Sequence, residues 1–411
     1  MEGGLLVFFS RAGQGCVKPK ILIMGAGIYQ VPLIQKARDM GLEVIVVSPE
    51  GPYPGIQLAD TFINLDTRDA DGILDTVRGI GISGVVTTGT DVCVPSIGRI
   101  VDALGLPGTG YEAACRSMDK VLMKRAFMEF NVPTAQFSTF TDYASARSFA
   151  DRSGYPVMVK ASDSSGSRGI TKVEEPDAME AAWSRAYQAS HSKQIIVEQF
   201  LSGHEFGAQA IVHGEDVVAV FPHGDTVTSA PYFTPIGHSM PTRLTAEQQN
   251  QVAEVIDQAV HAVGLRDCIS NVDLMLVDGK PYVIEIGARM GATCLPENIS
   301  IYSGMDAYEH VIGLALGEKS DVRISTRQAN ASLLLRAERT GRICAQEVPD
   351  GARLHPDLVE IQLDFDIGDH VQAFQVGPDR IGHIIVKGNT AEHAELLVQG
   401  LSSMIRFHIH E

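Results

Sequence analysis

The sequence predicts an α/β protein that begins with a doubly wound parallel sheet. Short apolar strands alternate with helical segments from Lys20 onward, at Ile21–Met24, Glu43–Ser48, Thr61–Asn64 and Gly84–Thr88. A later hairpin turns at Asp278-Gly279, a dipeptide typical of tight antiparallel turns. The chain of 411 residues has room for several domains.

The turn after the first strand contains Gly25-Ala-Gly27, which begins like a dinucleotide-binding motif. The position of the third glycine is Gln30, however, and the second strand runs into Ser48-Pro-Glu50 rather than a clear ribose-binding acid. No groups for hydride transfer follow downstream. The pattern therefore disfavours a nicotinamide-dependent dehydrogenase.

The hairpin from residue 273 to residue 289 carries the most informative pattern. Asp273 and Glu285 fall at the outer ends of its two strands, and Arg289 lies just beyond. Carboxylate oxygens are hard ligands that suit Mg²⁺ when it keeps waters and phosphates as its other ligands. Solvated strand ends are the alternative interpretation. Alternation along the strands predicts a buried face formed by Leu274, Leu276, Tyr282 and Ile284.

A second pattern indicates phosphate binding. The apolar segment 154–160 ends in Lys160 and is followed by a loop of small residues that extends to Gly169. Such a loop can direct several backbone N–H groups at one phosphate, while the lysine supplies a point charge. The segment is not the common P-loop, because no Gly-Lys-Ser/Thr follows the glycines. A flexible turn is the alternative.

The third pattern is Glu198-Gln-Phe-Leu201 followed by Ser-Gly-His-Glu205. A strand that runs into a linker at the edge of an adenine pocket needs backbone groups and an acceptor for the exocyclic amine. A carboxylate seven residues later can accept hydrogen bonds from the two ribose hydroxyls. Either glutamate could also be an ordinary surface charge.

With Met118-Asp-Lys120, these motifs closely resemble the ATP-grasp superfamily over roughly residues 20 to 320. Within it, the sequence is most similar to carboxylate–amine ligases, which include L-amino acid ligases, the pyrrolysine-pathway ligase and D-alanine–D-alanine ligase. The resemblance implies an ATP-grasp fold preceded by the doubly wound domain and followed by a small α+β lobe.

The resemblance also implies a role for each motif residue. ATP phosphates would be bound by Lys120, Lys160, Ser165, Gly166, Ser167 and Gly169. Adenine and ribose would be bound by Glu198, Gln199, Leu201 and Glu205. Asp273 and Glu285 would hold Mg²⁺, or Mn²⁺ in its place. Arg289 and Lys160 would act in catalysis. Lys124, one turn after Lys120 on the same helix, is the rival for the first phosphate lysine.

One position departs from the family pattern. Many relatives have asparagine two residues after the second acidic ligand, where this chain has Gly287. One metal would then be held more weakly, or water would replace the amide.

The expected organisation has four parts. Residues 1–18 are expected to be a disordered extension, 19–115 the first α/β domain, 116–324 the ATP-grasp domain and 325–411 the C-terminal lobe. A nucleotide-clamping subdomain is expected at about 130–203. Between the motifs, residues 222–238 are rich in Gly, Pro and Thr and are expected to form a long loop. Its His223 and His238 could contact substrate or be ordinary loop histidines.

The composition limits the partners. The chain has 33 Lys and Arg against 50 Asp and Glu, a net charge of −17, which argues against a general nucleic-acid or anionic-membrane surface. Six scattered cysteines without a Cys-x-x-Cys pair indicate reduced thiols and a cytoplasmic location. No segment has the length of a membrane helix or the pattern of a signal peptide.

We therefore expect an ATP-dependent carboxylate–amine ligase that joins a small-molecule carboxylate to an amine through an acyl phosphate and releases ADP and phosphate. The alternatives are a bicarbonate-activating carboxylase, a formate-using purine-type enzyme and a non-catalytic ATP-binding module. A homodimer is a further expectation from the family. The sequence does not name the two substrates.

Overall fold

The computed structural model describes residues 18–163, 169–228 and 234–410. The expected disordered extension therefore lies outside the described residues, except for Lys18. The first unit is a parallel sheet of order β3-β2-β1-β4. Its strands are β1 (Lys20–Met24), β2 (Glu43–Ser48), β3 (Thr61–Asn64) and β4 (Gly84–Val86). Its helices are α1 (Val31–Asp39), α2 (Ala70–Val77), α3 (Val94–Leu104) and α4 (Tyr111–Met118).

Apolar residues cover both faces of this sheet, because successive side chains of a strand point to opposite sides. Ile21 and Ile23 of β1 share a core with α1, whereas Leu22 and Met24 share another with α2 and α3. The predicted doubly wound unit is confirmed. The segment after the carboxyl end of β4 contacts the later part of the chain through a bridge between Thr88 and Met290.

Helix α5 (Lys120–Glu129) leads into a smaller antiparallel sheet of order β5-β8-β6-β7. The Asp119 side chain caps α5 by accepting hydrogen bonds from Val121 and Leu122. The strands are β5 (Phe137–Phe140), β6 (Val157–Ala161), β7 (Ile170–Val173) and β8 (Ile195–Gln199). Helices α6 (Tyr143–Ser153) and α7 (Met179–Ala189) pack on this sheet around a core of its own.

An eight-stranded sheet of order β13-β12-β9-β10-β11-β14-β18-β16 forms the centre of the molecule. Its first five strands along the chain are β9 (His204–His213), β10 (Asp216–Val227), β11 (Pro235–Met240), β12 (Cys268–Val277) and β13 (Lys280–Gly287). Helix α8 (Ala246–Val263) packs its apolar stripe against them. The helix begins with a capping box of Thr245 and Gln248 and ends at Gly264, which has φ +85°.

The remaining elements complete this sheet and add a three-stranded one of order β17-β15-β19. The helices are α9 (Leu295–Ser303), α10 (Ala307–Ala315), α11 (Asp350–Arg353) and α12 (Ala391–Met404). The strands are β14 (Asn330–Arg336), β15 (Gly341–Glu347), β16 (Leu358–Leu363), β17 (His370–Val371), β18 (Arg380–Lys387) and β19 (Arg406–His410). In the described part of the chain, three short 3₁₀ segments lie at Pro54–Leu58, Pro176–Ala178 and Gly377–Asp379.

The pairing of β11 with β14 carries one sheet across residue 325. Residues of the C-terminal region have their own core behind the sheet, around α12. The boundary expected at residue 325 thus separates two cores but not two sheets, and the division of the chain into domains remains a prediction.

Two expectations from the sequence are wrong. Residues 222–227 and 235–238 are strand segments of the β10–β11 hairpin rather than a long loop, and residues 229–233 lie outside the described part of the chain. On the hairpin of β12 and β13, Leu274 is buried with Val272, Val283 and Ile286, whereas Leu276, Tyr282 and Ile284 are only partly buried. A register shift between Asp273 and Leu274 changes which side chains face the core.

Within the described residues, no helix combines the length and the apolar character that crossing a membrane requires.

Candidate active site

The two predicted metal ligands face each other across the hairpin. Asp273 of β12 and Glu285 of β13 are direct partners in the strand register. Burial, together with the negative charges of Glu285 and Asp225, raises the pKa of Asp273 to about 7. Two close carboxylates with a shifted pKa favour a bound cation, which would neutralise both. This donor set fits Mg²⁺ or Mn²⁺.

Positive side chains surround this pair. The Lys120 Nζ atom lies 3.1 Å from Glu285, at the start of α5. The Arg289 Nε atom lies 2.7 Å from Asp91 Oδ1, and its Nη2 atom donates to Asp91 Oδ2 at 2.9 Å. Asp91 belongs to the loop after β4. The first α/β unit thus supplies the partner of Arg289.

Glu198 of β8 lies between two lysines. Its carboxylate forms ion pairs with Lys160 and with Lys124, the latter at 2.7 Å. All three side chains are almost completely buried. Burial would raise the pKa of Glu198, but the charges of Lys160 and Lys124 outweigh it and lower the pKa to about 2. Lys124 also donates to Thr134 at 2.8 Å.

Both lysines of α5 therefore face the site, at different ends. Lys120 is next to the metal ligands, whereas Lys124 is next to Glu198. The carboxylate of Glu198, expected to accept from adenine, is held by lysines in this structure. The Gln199 N–H is donated to the Gln136 carbonyl at 2.9 Å, so that backbone donor is already used. Leu201 follows the end of β8.

The small-residue loop connects β6 with β7. Ser165, Gly166 and Ser167 lie outside the described residues. Gly169 ends the loop with φ +69°, and a Cβ there would lie 2.6 Å from the Cβ of Ala189 on α7. The position therefore requires glycine on both grounds. Glu205, expected at the ribose, begins β9 opposite Met275; burial and the charge of Asp225 raise its pKa.

Comparison with known proteins agrees with the resemblance to ATP-grasp ligases. Residues 126–309 match the family D-ala D-ala ligase C-terminus, and residues 333–410 match L-amino acid ligase C-terminal domain 2. D-alanine–D-alanine ligase of Ectopseudomonas mendocina is 28% identical over 58% of this chain and 74% of its own length.

Solved structures agree over nearly the whole chain. Phosphoribosylglycinamide synthetase of Anaerococcus prevotii superposes with a TM-score of 0.80 and 28% identity, covering 96% of this chain and 100% of that one. L-amino acid ligase of Bacillus licheniformis gives a TM-score of 0.82 at 18% identity, with 96% and 99% covered, which is a likeness of fold. The chain belongs to the ATP-grasp superfamily of ATP-dependent ligases.

The candidate site includes a buried polar cluster that the sequence did not indicate. His223 and His238 each contact Asp225 Oδ1 through Nδ1, at 2.8 Å and 2.6 Å. Burial would raise the pKa of Asp225, but both histidines hold it well below its usual range. The two histidines are buried strand residues rather than loop residues. The period-two spacing of His223 and Asp225 was the available signal.

This cluster lies in one row with the two predicted metal ligands. Glu285, Asp273, Gly207 and His223 are successive register partners across β13, β12, β9 and β10. A Cβ at Gly207 would lie 2.2 Å from the His223 ring, so the ring occupies the space above the glycine. The cluster therefore shares the face of the sheet that carries Asp273.

The departure at Gly287 also has a structural setting. Gly287 pairs with Asn271, whose Nδ2 atom donates to Asp273 Oδ1 at 3.1 Å. A Cβ at Gly287 would lie 3.6 Å from Asp91 Oδ1. Asp91 and Asn271 thus border the space beside Gly287, the position where many relatives have asparagine. Gln209 links Asn271 to the next segment, because its Oε1 atom accepts from Gly291 N at 2.8 Å.

Proposed function

We propose that the protein is an ATP-dependent carboxylate–amine ligase, which forms an amide or peptide bond through an acyl phosphate and releases ADP and phosphate. The observation that carries the proposal is the opposition of Asp273 and Glu285, with Lys120 beside them and Arg289 fixed by Asp91. This arrangement supports charge stabilisation at a transferred phosphoryl group.

Asp273 and Glu285 would hold the metal ion, and Lys120 and Lys160 the phosphates of ATP. When bound, Mg²⁺ or Mn²⁺ would neutralise charge on the phosphates. The backbone around Ser165, Gly166, Ser167 and Gly169 would cover the phosphates and exclude water, which would otherwise hydrolyse the activated carboxylate. Glu198, Gln199 and Leu201 would bind adenine, and Glu205 ribose.

The phosphates of ATP would compete with Glu198 for the charge of Lys160. In the structure its charge is shared with Glu198, so a phosphate that binds Lys160 would leave Glu198 with Lys124. We infer that this exchange frees one carboxylate oxygen of Glu198 to accept from the adenine amine. Lys124 would retain a structural role there, which supports Lys120 as the phosphate lysine.

Arg289 would stabilise the oxyanion that forms when the amine attacks the activated carbonyl. A guanidinium suits this role because it stays charged and presents a fixed array of donors. The carboxylate of Asp91 would orient the Arg289 guanidinium for this role. The substrates are therefore expected between the loop after β4 and the end of β13.

The test measures ADP release with Mg²⁺-ATP against a crossed panel of carboxylates, amines, bicarbonate and formate. We expect turnover that requires one carboxylate and one amine, and a loss of at least about a hundredfold in Glu285→Gln. The matched control is Glu254→Gln, which removes the same charge from an exposed position of α8 and should leave turnover unchanged.

Other outcomes would replace the proposal. Turnover with bicarbonate would indicate a carboxylase, and turnover with formate a formyl-transferring enzyme. Tight ATP binding without turnover by any acceptor would indicate a non-catalytic module. The cytoplasmic location, the homodimer and the expected lack of nucleic-acid and membrane partners remain predictions.

A further inference from the structure

The hairpin of β12 and β13 presents only part of a cation's ligand set. Glu285 and Gly287 are two positions apart on β13, so side chains at both positions would point to the same face of the sheet. Asp273 and Asn271, their register partners on β12, share that face. The hairpin therefore directs two carboxylates at the predicted metal site, and Gly287 adds no side chain to them.

A carboxylate from the first α/β unit lies beside this glycine. A Cβ at Gly287 would lie 3.6 Å from Asp91 Oδ1, and the next nearest atom is the Asn271 carbonyl oxygen at 3.9 Å. Both distances are ordinary van der Waals contacts. The Asp91 carboxylate thus borders the place that a side chain at position 287 would fill, on the face that carries Glu285.

The segment that carries Asp91 is fixed to the end of the hairpin by its backbone. Thr88 forms a bridge with Met290, and the Gly89 N–H donates to the Met290 carbonyl oxygen at 3.0 Å. The Asp91 side chain is 27% exposed, so a ligand can still reach it. These contacts hold the carboxylate near Gly287 independently of its ion pair.

Asp91 can bind a cation without releasing Arg289. The guanidinium contacts both carboxylate oxygens, at 2.7 Å from Nε to Oδ1 and at 2.9 Å from Nη2 to Oδ2. An ionised carboxylate has about four lone-pair sites on its two oxygens, so a bidentate guanidinium leaves acceptor capacity on each oxygen. The same carboxylate can therefore orient Arg289 and bind a metal ion.

The neighbouring oxygen donors among the described residues are already engaged. The side-chain oxygen of Asn271 accepts from Gln209, and its Nδ2 atom donates to Asp273 at 3.1 Å. Asp225 belongs to β10, two strands from Asp273, and both histidines of its cluster contact its Oδ1 atom. Asp91 is thus the best-placed third donor.

We propose that Asp91 is a third protein ligand of the divalent cation held by Asp273 and Glu285. The first α/β unit would then complete the metal site where Gly287 contributes no side chain. The inference rests on the proposed function and extends it by adding a ligand from outside the hairpin. Three carboxylates suit a hard cation that takes its other oxygen ligands from water and phosphate.

The test measures metal binding rather than turnover. Calorimetry gives the dissociation constant of ADP for the full-length protein with excess Mn²⁺ and with a chelator, and the ratio of the two constants isolates the contribution of the metal. In wild type we expect Mn²⁺ to strengthen ADP binding. In Asp91→Ala that effect should fall at least about tenfold, as in Glu285→Gln. Asp75→Ala removes an exposed carboxylate from α2 and should leave it unchanged.

Three variants separate ligation from the other roles of this carboxylate. Asp91→Asn removes the charge but keeps a side-chain oxygen, so it should retain more of the Mn²⁺ effect than Asp91→Ala. Arg289→Gln should not reduce the effect, because removal of one cation does not weaken the binding of another. Gly287→Asn, combined with Asp91→Ala, should restore most of the effect by supplying an amide oxygen from the hairpin itself.

Thermal unfolding checks that each variant folds. If Asp91→Ala does not fold, Asp91→Ser decides instead. Its hydroxyl can still accept from Arg289 but has one oxygen and no charge to offer a cation, so the same loss of the Mn²⁺ effect is expected.

The outcomes are distinct. The inference is overturned by an unchanged Mn²⁺ effect in the Asp91 variant that folds, by equal losses in that variant and in Arg289→Gln, or by a failure of Gly287→Asn to restore the effect. ADP binding in wild type that does not respond to Mn²⁺ would overturn the metal role of Asp273 and Glu285 as well. A normal Mn²⁺ effect without turnover of any carboxylate and amine would overturn the proposed function alone.

Discussion

At the scale of single residues, the site depends on buried charges that satisfy one another. Glu198 is 3% exposed and has lysines on both sides. Desolvation of three ionised groups is costly, and their mutual attraction offsets the cost only while all three are present. The three side chains therefore hold one another in place, and only a charged ligand would replace one of the ion pairs.

Glu198→Gln tests this dependence. The folded pKa of about 2 lies below the ordinary value, so the contribution of Glu198 is fully present above about pH 4.5 and is lost as the pH falls toward 2. At neutral pH the variant should lose on the order of 3 kcal/mol in the free energy of unfolding, since it leaves two lysines unpaired. Urea unfolding between neutral and acid pH measures this.

Glu254→Gln again provides the control, because removal of an exposed charge should change stability by less than about 0.5 kcal/mol. Equal stability of Glu198→Gln and wild type at neutral pH would contradict the account of the three charges.

At the scale of elements, the central sheet aligns functional side chains by register. Asp273, Glu285 and His223 lie in one row, and Gly207 leaves room for the His223 ring between strands. A side chain at that position would displace the ring from Asp225. Glycine is required here by close approach rather than by its backbone angles.

Gly207→Ala should therefore destabilise the protein by about 1–3 kcal/mol, because the new methyl group cannot fit beside the ring without a shift. Thermal unfolding measures the loss. Gly400→Ala on α12 is the matched control: a Cβ there would contact nothing within 4 Å, and alanine should raise helix stability by up to about 1 kcal/mol. A fully stable Gly207→Ala would mean that His223 moves freely.

At the scale of the whole molecule, the C-terminal region completes the fold of the central part. Strand β14 pairs with β11, and β18 and β16 extend the same sheet. Without them β11 would become an open edge, and apolar residues that face the C-terminal core would meet water.

A chain that ends at residue 324 should thus aggregate or unfold without a cooperative transition. Calorimetry and size-exclusion chromatography compare it with the full chain. A monomeric truncated protein with one sharp transition and intact ATP binding would show instead that residues 325–410 are a dispensable addition.

Much of the architecture could be predicted because it depends on local patterns. The strands of the first unit, the Thr245 capping box and the turn at Asp278-Gly279 each follow from neighbouring residues. The ATP-grasp assignment followed from short motifs in the right order. The role of each motif residue remains a prediction.

The sequence by itself determined the doubly wound first unit and the opposed pair of Asp273 and Glu285, because local periodicity and turn chemistry specify them. The ATP-grasp fold followed from the resemblance of its motifs to that superfamily. Only the tertiary structure decided which charged side chains form ion pairs with one another. The pairing of Glu198 with two lysines and the pairing of Arg289 with Asp91 each join residues far apart in the chain. Such contacts depend on how sheets and loops pack, which local spacing does not encode.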